Sequence, residues 1–289
     1  MNRHTTFVHL TDLHIGNPAV EDDHLWSDTA ATLRTILGEV RAITPTPDFI
    51  LVSGDLTNRG DVGSYDQLKA ILDEAGIEVP MFFALGNHDS RPGFYQGMLA
   101  RSDNLDAPYF HDALVGGVHL IVLDSSAPNK VGGTIEPEQF VWLQERLDAH
   151  PDMAKLIMVH HAPALDEDNT SMEWESISCA DTADMREMLA GYDVLGIISG
   201  HIHHDRVSMW DGIPVVVGIG QHTAMDPLYL HEGLRMVSGA SFAIGTIRPS
   251  GLTISFVPQP SERRELNRVT YEQMSEVLRR YENAALAAE

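Results

Sequence analysis

A chain of 289 residues, 43% of them hydrophobic, is long enough to bury a large core as one α/β domain or two small ones. Its one cysteine, Cys179, excludes an internal disulfide, and against 15 histidines it means that any metal would be held by nitrogen and oxygen. The formal charge of −23 repels the backbone of long nucleic acids and leaves small phosphate esters open as substrates.

No apolar run approaches the roughly 18 residues that cross a bilayer, and no basic run suggests a membrane-surface patch. The N-terminal MNRHTTFVHLTDLH lacks a small-residue cleavage site, so the expected location is cytoplasmic. Strands and helices then alternate. FVHL at 7–10 reads as a strand running into Thr11-Asp12. Leu33, Ile36, Leu37 and Val40 predict a helix over 27–43, closed by Pro45 and Pro47. DFILVS at 48–53 is a strand ending in Gly54-Asp55. Tyr65, Leu68, Ile71 and Leu72 mark a second helix, stopped by Gly76. PMFFAL at 80–85 ends in Gly86-Asn87. HLIVLD at 119–124 is a further strand, a helix covers 137–149, and LIMV at 156–159 ends in His160. LGIIS at 195–199 ends in Gly200-His201. Beyond 205, VSMW, IPVVVGI, SFAIGTI and LTISFV predict strands with turns at Asp211-Gly212 and Ser250-Gly251, forming a second, more antiparallel sheet. The tail over 270–289 carries a helical stripe of Met274, Val277, Leu278 and Tyr281. A domain over 1–260 thus carries a helical extension over 261–289.

Five apolar strands run straight into Asp, Asn or His. Ligands of open α/β sheets bind just outside the carboxyl ends of strands, so these ends predict a site. Asp12 and His14 stand two apart, which in an extended segment turns both to one face. Gly54 permits a tight turn that delivers Asp55, whose carboxylate can bridge two cations. Asn87 offers a neutral amide oxygen. His88 offers a hydrogen bond or proton for a phosphate oxygen or leaving group, and Asp89 an acceptor to orient His88. His160 and His161 cannot both face one point from an extended strand; His160 is the expected ligand. His201 and His203 share a face by the same alternation, and His204 points elsewhere. Substrate choice is expected in the loop over 166–178, with Met172 and Trp174, and in that over 221–235. The second loop holds His222, Met225, Tyr229 and His231. His222 joins Asn87 and His88 as a substrate-binding candidate. His4, His24, His111, His119 and His150 lie outside any motif and read as structural or surface residues.

In this order, D-x-H, GD, GNHD, HH and GHxH resemble the calcineurin-like metallophosphoesterase superfamily. Within it they are most similar to the bacterial class III cyclic nucleotide phosphodiesterases and the related glycerophosphodiesterases. The resemblance runs from Phe7 to about Val217 and includes Gly133-Thr134-Ile135 ahead of Gln139-Phe140-Val141-Trp142-Leu143. It implies an α/β fold, a four-layer αββα sandwich of two mixed β-sheets flanked by helices. It implies a first metal on Asp12, His14, Asp55 and His203 and a second on Asp55, Asn87, His160 and His201. Iron is implied in the first site and manganese, zinc or iron in the second. On that pattern Asp55 and His88 are the catalytic residues: a hydroxide between the cations attacks phosphorus while His88 stabilises or protonates the departing alkoxide.

Protein phosphatases of the superfamily carry Asp where this chain has Asn58 and Glu where it has Asp89, with an arginine pair for the phosphate. These departures favour a small phosphodiester, cyclic nucleotide or glycerophosphodiester-like, over a phosphoprotein. A phosphomonoesterase or nucleotidase of the same superfamily is the alternative. A nuclease would want a basic groove, and a non-catalytic scaffold would want missing ligands. The C-terminal stripe and the late β-region would suit a homodimer.

Overall fold

In a computed structural model the chain is described over residues 4–229, 233–259 and 264–288. Three strands, β1 (Thr5–Leu10), β2 (Phe49–Ser53) and β3 (Met81–Ala84), lie parallel and are linked by α1 (Thr29–Ala42) and α2 (Val62–Ala75). Both helices start where an aspartate can cap them: Asp28 accepts from the Ala31 amide and Asp61 from that of Ser64. Gly76 ends α2 in the left-handed conformation, with φ at 61°.

The second sheet has the order β4-β5-β6-β7-β9-β8. Its inner strands β5 (Val118–Val122), β6 (Lys155–Met158), β7 (Val194–Ser199) and β9 (Ile213–Val217) are parallel. The edges β4 (His111–Val115) and β8 (Arg206–Trp210) are antiparallel to their neighbours.

Side-chain alternation builds the layers. Val8, Leu10, Ile50 and Val52 pack with α1 and α2, while Phe7, Phe49 and Leu51 face the other way. Ile157 and Val159 pack with Leu143 and Leu147 of α4 (Pro137–Ala149) and with Met185 and Leu189 of α5 (Cys179–Leu189). Leu156, Met158 and Ile198 meet Phe7 and Phe49 between the sheets. The result is the expected αββα sandwich. These strands read as continuous apolar runs because both their faces are buried.

The late strands depart from expectation. They do not form a sheet of their own. β8 and β9 extend the second sheet, and β12 (Ser241–Arg248) with β13 (Gly251–Pro258) extends the first, in the order β13-β12-β1-β2-β3. An outer edge of β1 left bare would carry unpaired backbone groups inside the molecule, and β12 satisfies them. A small third sheet joins β10 (Ala224–Met225), β11 (Gly233–Val237) and β14 (Glu265–Thr270). β14 lies beyond residue 260 and precedes α6 (Tyr271–Ala288), so the last segment opens with a strand. The seven-residue α3 (Arg91–Gly97), along with α5 and β4, went unread because each carries few apolar residues at regular spacing. No described helix is long and apolar enough to cross a membrane.

Candidate metal centre

The turns after β1, β2, β3, β6 and β7 bring together Asp12, His14, Asp55, Asn87, His160, His201 and His203, at the end of the sandwich where both sheets present carboxyl ends. The backbone there is not extended. Asp12, His14, Asp55, His201 and His203 have φ of 48°, 44°, 46°, 75° and 49°. The period-two alternation expected for Asp12/His14 and His201/His203 is therefore replaced by left-handed turns, each of which costs roughly 1–3 kcal/mol for a residue with a Cβ. Neighbouring backbone holds them there: Asp12 N–H donates to Gly54 O at 3.0 Å and His14 N–H to Asp55 O at 2.9 Å. Glycine leaves room for the crowding. A Cβ on Gly86 would stand 2.3 Å from Asp55 Oδ1, and one on Gly54 would stand 2.5 Å from His160 Nδ1.

Hydrogen bonds set which nitrogen each imidazole turns inward. His160 Nδ1 donates to Ser53 O at 2.8 Å, and His203 Nδ1 to Thr223 O at 2.9 Å. Their Nε2 atoms lie 3.3 Å from Asp55 Oδ2 and 3.2 Å from Asp12 Oδ1. His14 Nδ1 meets Asn58 Oδ1 at 3.0 Å, and its Nε2 stands 3.6 Å from Asp55 Oδ2. His201 is reversed: Nε2 donates to Trp174 O at 2.7 Å, which leaves Nδ1 as its lone-pair nitrogen.

Two buried carboxylates call for positive charge. Burial pushes the Asp55 carboxyl up, but the imidazoles of His160, His88 and His14 outweigh it and hold it well below the usual range. Burial lowers His160, yet Asp55 overrides it and raises the imidazole to about 9. His203 is likewise raised by Asp12 against its burial. His14 goes the other way, lowered by burial and by His88 and His222. A cation among these groups would displace the protons on His160 and His203.

The residues fit such a cation. Asp12, His14 and His203 are close enough to share one ion, as are Asp12, Asp55 and His160. His14 Nε2, His160 Nε2 and Asn87 Oδ1 are buried with no hydrogen-bond partner, which costs about 1–3 kcal/mol per atom unless something meets them. A donor set of imidazole, carboxylate and amide suits iron, manganese or zinc better than calcium or copper(I).

Other expectations fall out differently. Asp89 does not touch His88. It is a half-buried clamp that accepts from the amides of Gly86, Leu56 and Thr57 and from the Tyr65 hydroxyl, at 2.9, 3.1, 3.2 and 2.8 Å. His88 is exposed and donates from Nδ1 to Asn58 O at 3.0 Å instead. His161 is buried beside the donors, its ring 4.4 Å from that of His201, but both its nitrogens are engaged, by Ser125 Oγ and Val131 O. His204 is half-buried and bonds none of them.

His222 is buried beside the centre, its ring 4.7 Å from that of His14, and its Nε2 accepts from the Trp26 amide at 3.2 Å. Of the 166–178 loop, Trp174 reaches the centre through its carbonyl. Tyr229, between β10 and β11, packs against Arg235 and Arg268 of the small third sheet. His231 lies outside the described residues. Asp22, Asn58 and Trp26 are the partners that sequence reasoning missed. Asn58 sits in the Gly54-Asp55 block and was readable from it, whereas nothing local marks Asp22 or Trp26.

A two-sheet sandwich with a nitrogen-oxygen donor cluster at its carboxyl edge defines a class of metal-dependent phosphoesterases. Residues 5–205 match the model of the calcineurin-like phosphoesterase family, and the chain belongs to that family. It is 31% identical to a probable cyclic nucleotide phosphodiesterase of Rhodococcus erythropolis over 73% of this chain and 68% of that one. It is 28% identical to the 3',5'-cyclic adenosine monophosphate phosphodiesterase CpdA of Pseudomonas aeruginosa, over 71% and 75%. The probable glycerophosphodiester phosphodiesterase GpdQ of Arcobacter nitrofigilis is 25% identical over 65% and 68%. These relatives are named phosphodiesterases, in keeping with a metal-dependent phosphodiesterase. Among solved structures, a purple acid phosphatase from yellow lupin superposes with a TM-score of 0.62 at 14% identity, over 95% of this chain and 55% of that one. That likeness concerns the fold.

Proposed function

We propose that this protein hydrolyses a small phosphodiester, cyclic nucleotide or glycerophosphodiester-like, at a binuclear metal centre. Asp12, His14, Asp55 and His203 would hold one ion and Asp55, Asn87, His160 and His201 the other, with Asp55 as the bridge. Iron paired with manganese, zinc or iron suits the donors. The observation that carries this reading is the pair of buried, unbonded Nε2 atoms of His14 and His160 around the Asp55 carboxylate, with the Asn87 amide oxygen likewise buried without a partner. Bound cations would lower the pKa of a water and neutralise charge on the phosphoryl oxygens.

The chain's own residues do the rest. Asn87, His88 and His222 line the phosphate position. His88 is exposed and holds its Nδ1 proton on Asn58 O, so Nε2 is the nitrogen that would carry a proton to the departing alkoxide. His222 accepts at Nε2, so its donor is Nδ1–H. A charge of −23 supports a small substrate over a nucleic acid strand, and a cytoplasmic, homodimeric enzyme suits the same reading.

The test is a substrate panel on metal-loaded protein: bis(4-nitrophenyl) phosphate, cyclic AMP, glycerophosphocholine and a matching phosphomonoester. Diesters turn over faster than the monoester, and chelation abolishes the activity. Asn87→Ala lowers metal content by about one ion per chain. Full diesterase activity in metal-loaded Asp55→Ala would sink the mechanism.

A further inference from the structure

The loop between β1 and α1 reaches back over the metal centre and carries Asp22. Among the described residues no acid-base motif surrounds Asp22, yet its side chain is only 9% exposed. Its Oδ2 accepts from Asn58 Nδ2 at 2.6 Å, and Arg59 grips both of its oxygens, at 2.9 and 2.6 Å. Asn17, on the same loop, donates to Asp61 at 2.7 Å and pins the loop's start.

These contacts have a direction. An ionised carboxylate can only accept, so the NH2 end of the Asn58 amide must face Asp22. The carbonyl end then faces His14, 3.0 Å from Nδ1. A carbonyl oxygen also only accepts, so His14 must carry its proton on Nδ1. Its Nε2 is thereby left as a lone pair toward Asp12 and Asp55, at 4.0 and 3.6 Å. The backbone carbonyl of the same Asn58 holds His88 Nδ1 at 3.0 Å. One asparagine therefore meets two imidazoles, His14 through its side-chain amide, which Asp22 holds, and His88 through its backbone carbonyl, which Asp22 does not touch. Without the carboxylate the amide is free to turn over, present NH2 to His14 and favour the opposite tautomer, whose Nε2–H repels a cation.

We propose that Asp22 is a positioning residue: acting through the Asn58 side-chain amide, it selects the His14 tautomer that can bind metal, while His88, held by the Asn58 backbone, serves as the internal control. The metal half of this statement rests on the function proposed above; the tautomer half does not.

The experiment uses the full chain and reads two quantities. In metal-free protein labelled with nitrogen-15, NMR reports which imidazole nitrogen of His14 and His88 bears the proton. Chelator competition with zinc or manganese reports the two stepwise metal affinities. Wild type is expected to show Nδ1–H at both histidines. Asp22→Ala is expected to mix the His14 tautomers and to weaken one metal step by about 10–100-fold, with the other changed much less. Asp22→Asn keeps the shape if the alanine variant does not fold. Its amide can still accept from Asn58, so it is expected to lie between the two. Arg59→Ala leaves the Asp22–Asn58 bond in place and is expected to keep the wild-type tautomer. An unchanged His14 tautomer with metal affinities within twofold of wild type in the Asp22 variants overturns the proposal. Altered tautomers in a protein that takes up no metal would instead overturn the metal reading and leave the positioning role standing.

Discussion

His88 packs 4.6 Å from the ring of His14 and differs from the other histidines of the centre in its exposure. His14, His160 and His203 are buried with Nε2 facing a carboxylate, whereas His88 is exposed with Nδ1 tied to Asn58 O. A group that holds metal wants a buried lone pair, and a group that delivers a proton wants access to the leaving atom. His88→Ala is therefore expected to keep the metals and lower kcat by about 10²–10⁴-fold on an alkyl diester. The loss should be smaller on a 4-nitrophenyl ester, because that phenolate leaves without a proton. Steady-state kinetics on both esters, with metal analysis of the purified variant, decides this. An equal loss on both would assign His88 to phosphate binding alone. The residue types at these positions were legible. Their backbone was not: left-handed φ at five non-glycine residues follows from packing of turns against turns, which no local pattern announces.

At the scale of elements, the centre is held by what links the loops. Asp89 ties the turn after β3 to the turn after β2 and to Tyr65 of α2, so one half-buried carboxylate locks three segments. Its sequence neighbours suggested a partner for His88, because adjacency in a motif looks like adjacency in space. The turn instead points Asp89 inward. The edge strand β4 of the second sheet offers a test of element stability. His111 on β4 packs against the rings of Phe82 and Tyr109, and its Nδ1 is buried without a partner. Burial lowers this imidazole to about 4 against only a weak pull from Asp112. The unfolded chain then binds a proton near pH 6.5 that the folded chain refuses until about pH 4, so stability falls as pH drops through that window and levels off below it. His111→Phe is expected to remove that part of the acid destabilisation. Denaturant melts of both proteins between pH 7 and 4 measure it, and parallel curves would refute the assignment.

For the whole molecule, the centre joins two sheets that also meet through the apolar layer between them and through polar ties such as Arg91 to Asp124. Asp12, His14, Asp55 and Asn87 come from the first sheet, and His160, His201 and His203 from the second. Ions bound between them would act as a staple. At a free metal concentration about 100 times Kd, a single site adds roughly 2.7 kcal/mol to stability. Chelation is accordingly expected to lower the melting temperature as well as abolish diester hydrolysis. Thermal melts with and without metal give the answer, and an unchanged melting temperature would place the donors elsewhere.

The chain's own pattern determined that strands buried on both faces end in Asp, Asn and His, and so pointed to an α/β class and to the residues proposed as donors, while the four-layer arrangement was implied by the family resemblance. Periodicity and strand-end chemistry are local and survive in one dimension. Only the tertiary structure decided that the late hairpins complete both sheets, because edge pairing depends on which backbone groups are left unsatisfied. It alone decided that Asp12 meets His203, that Asp89 turns from His88, and that Asp22 governs His14 through Asn58. Those are contacts between segments far apart in sequence, settled by where polar groups must find partners once the core has closed around them.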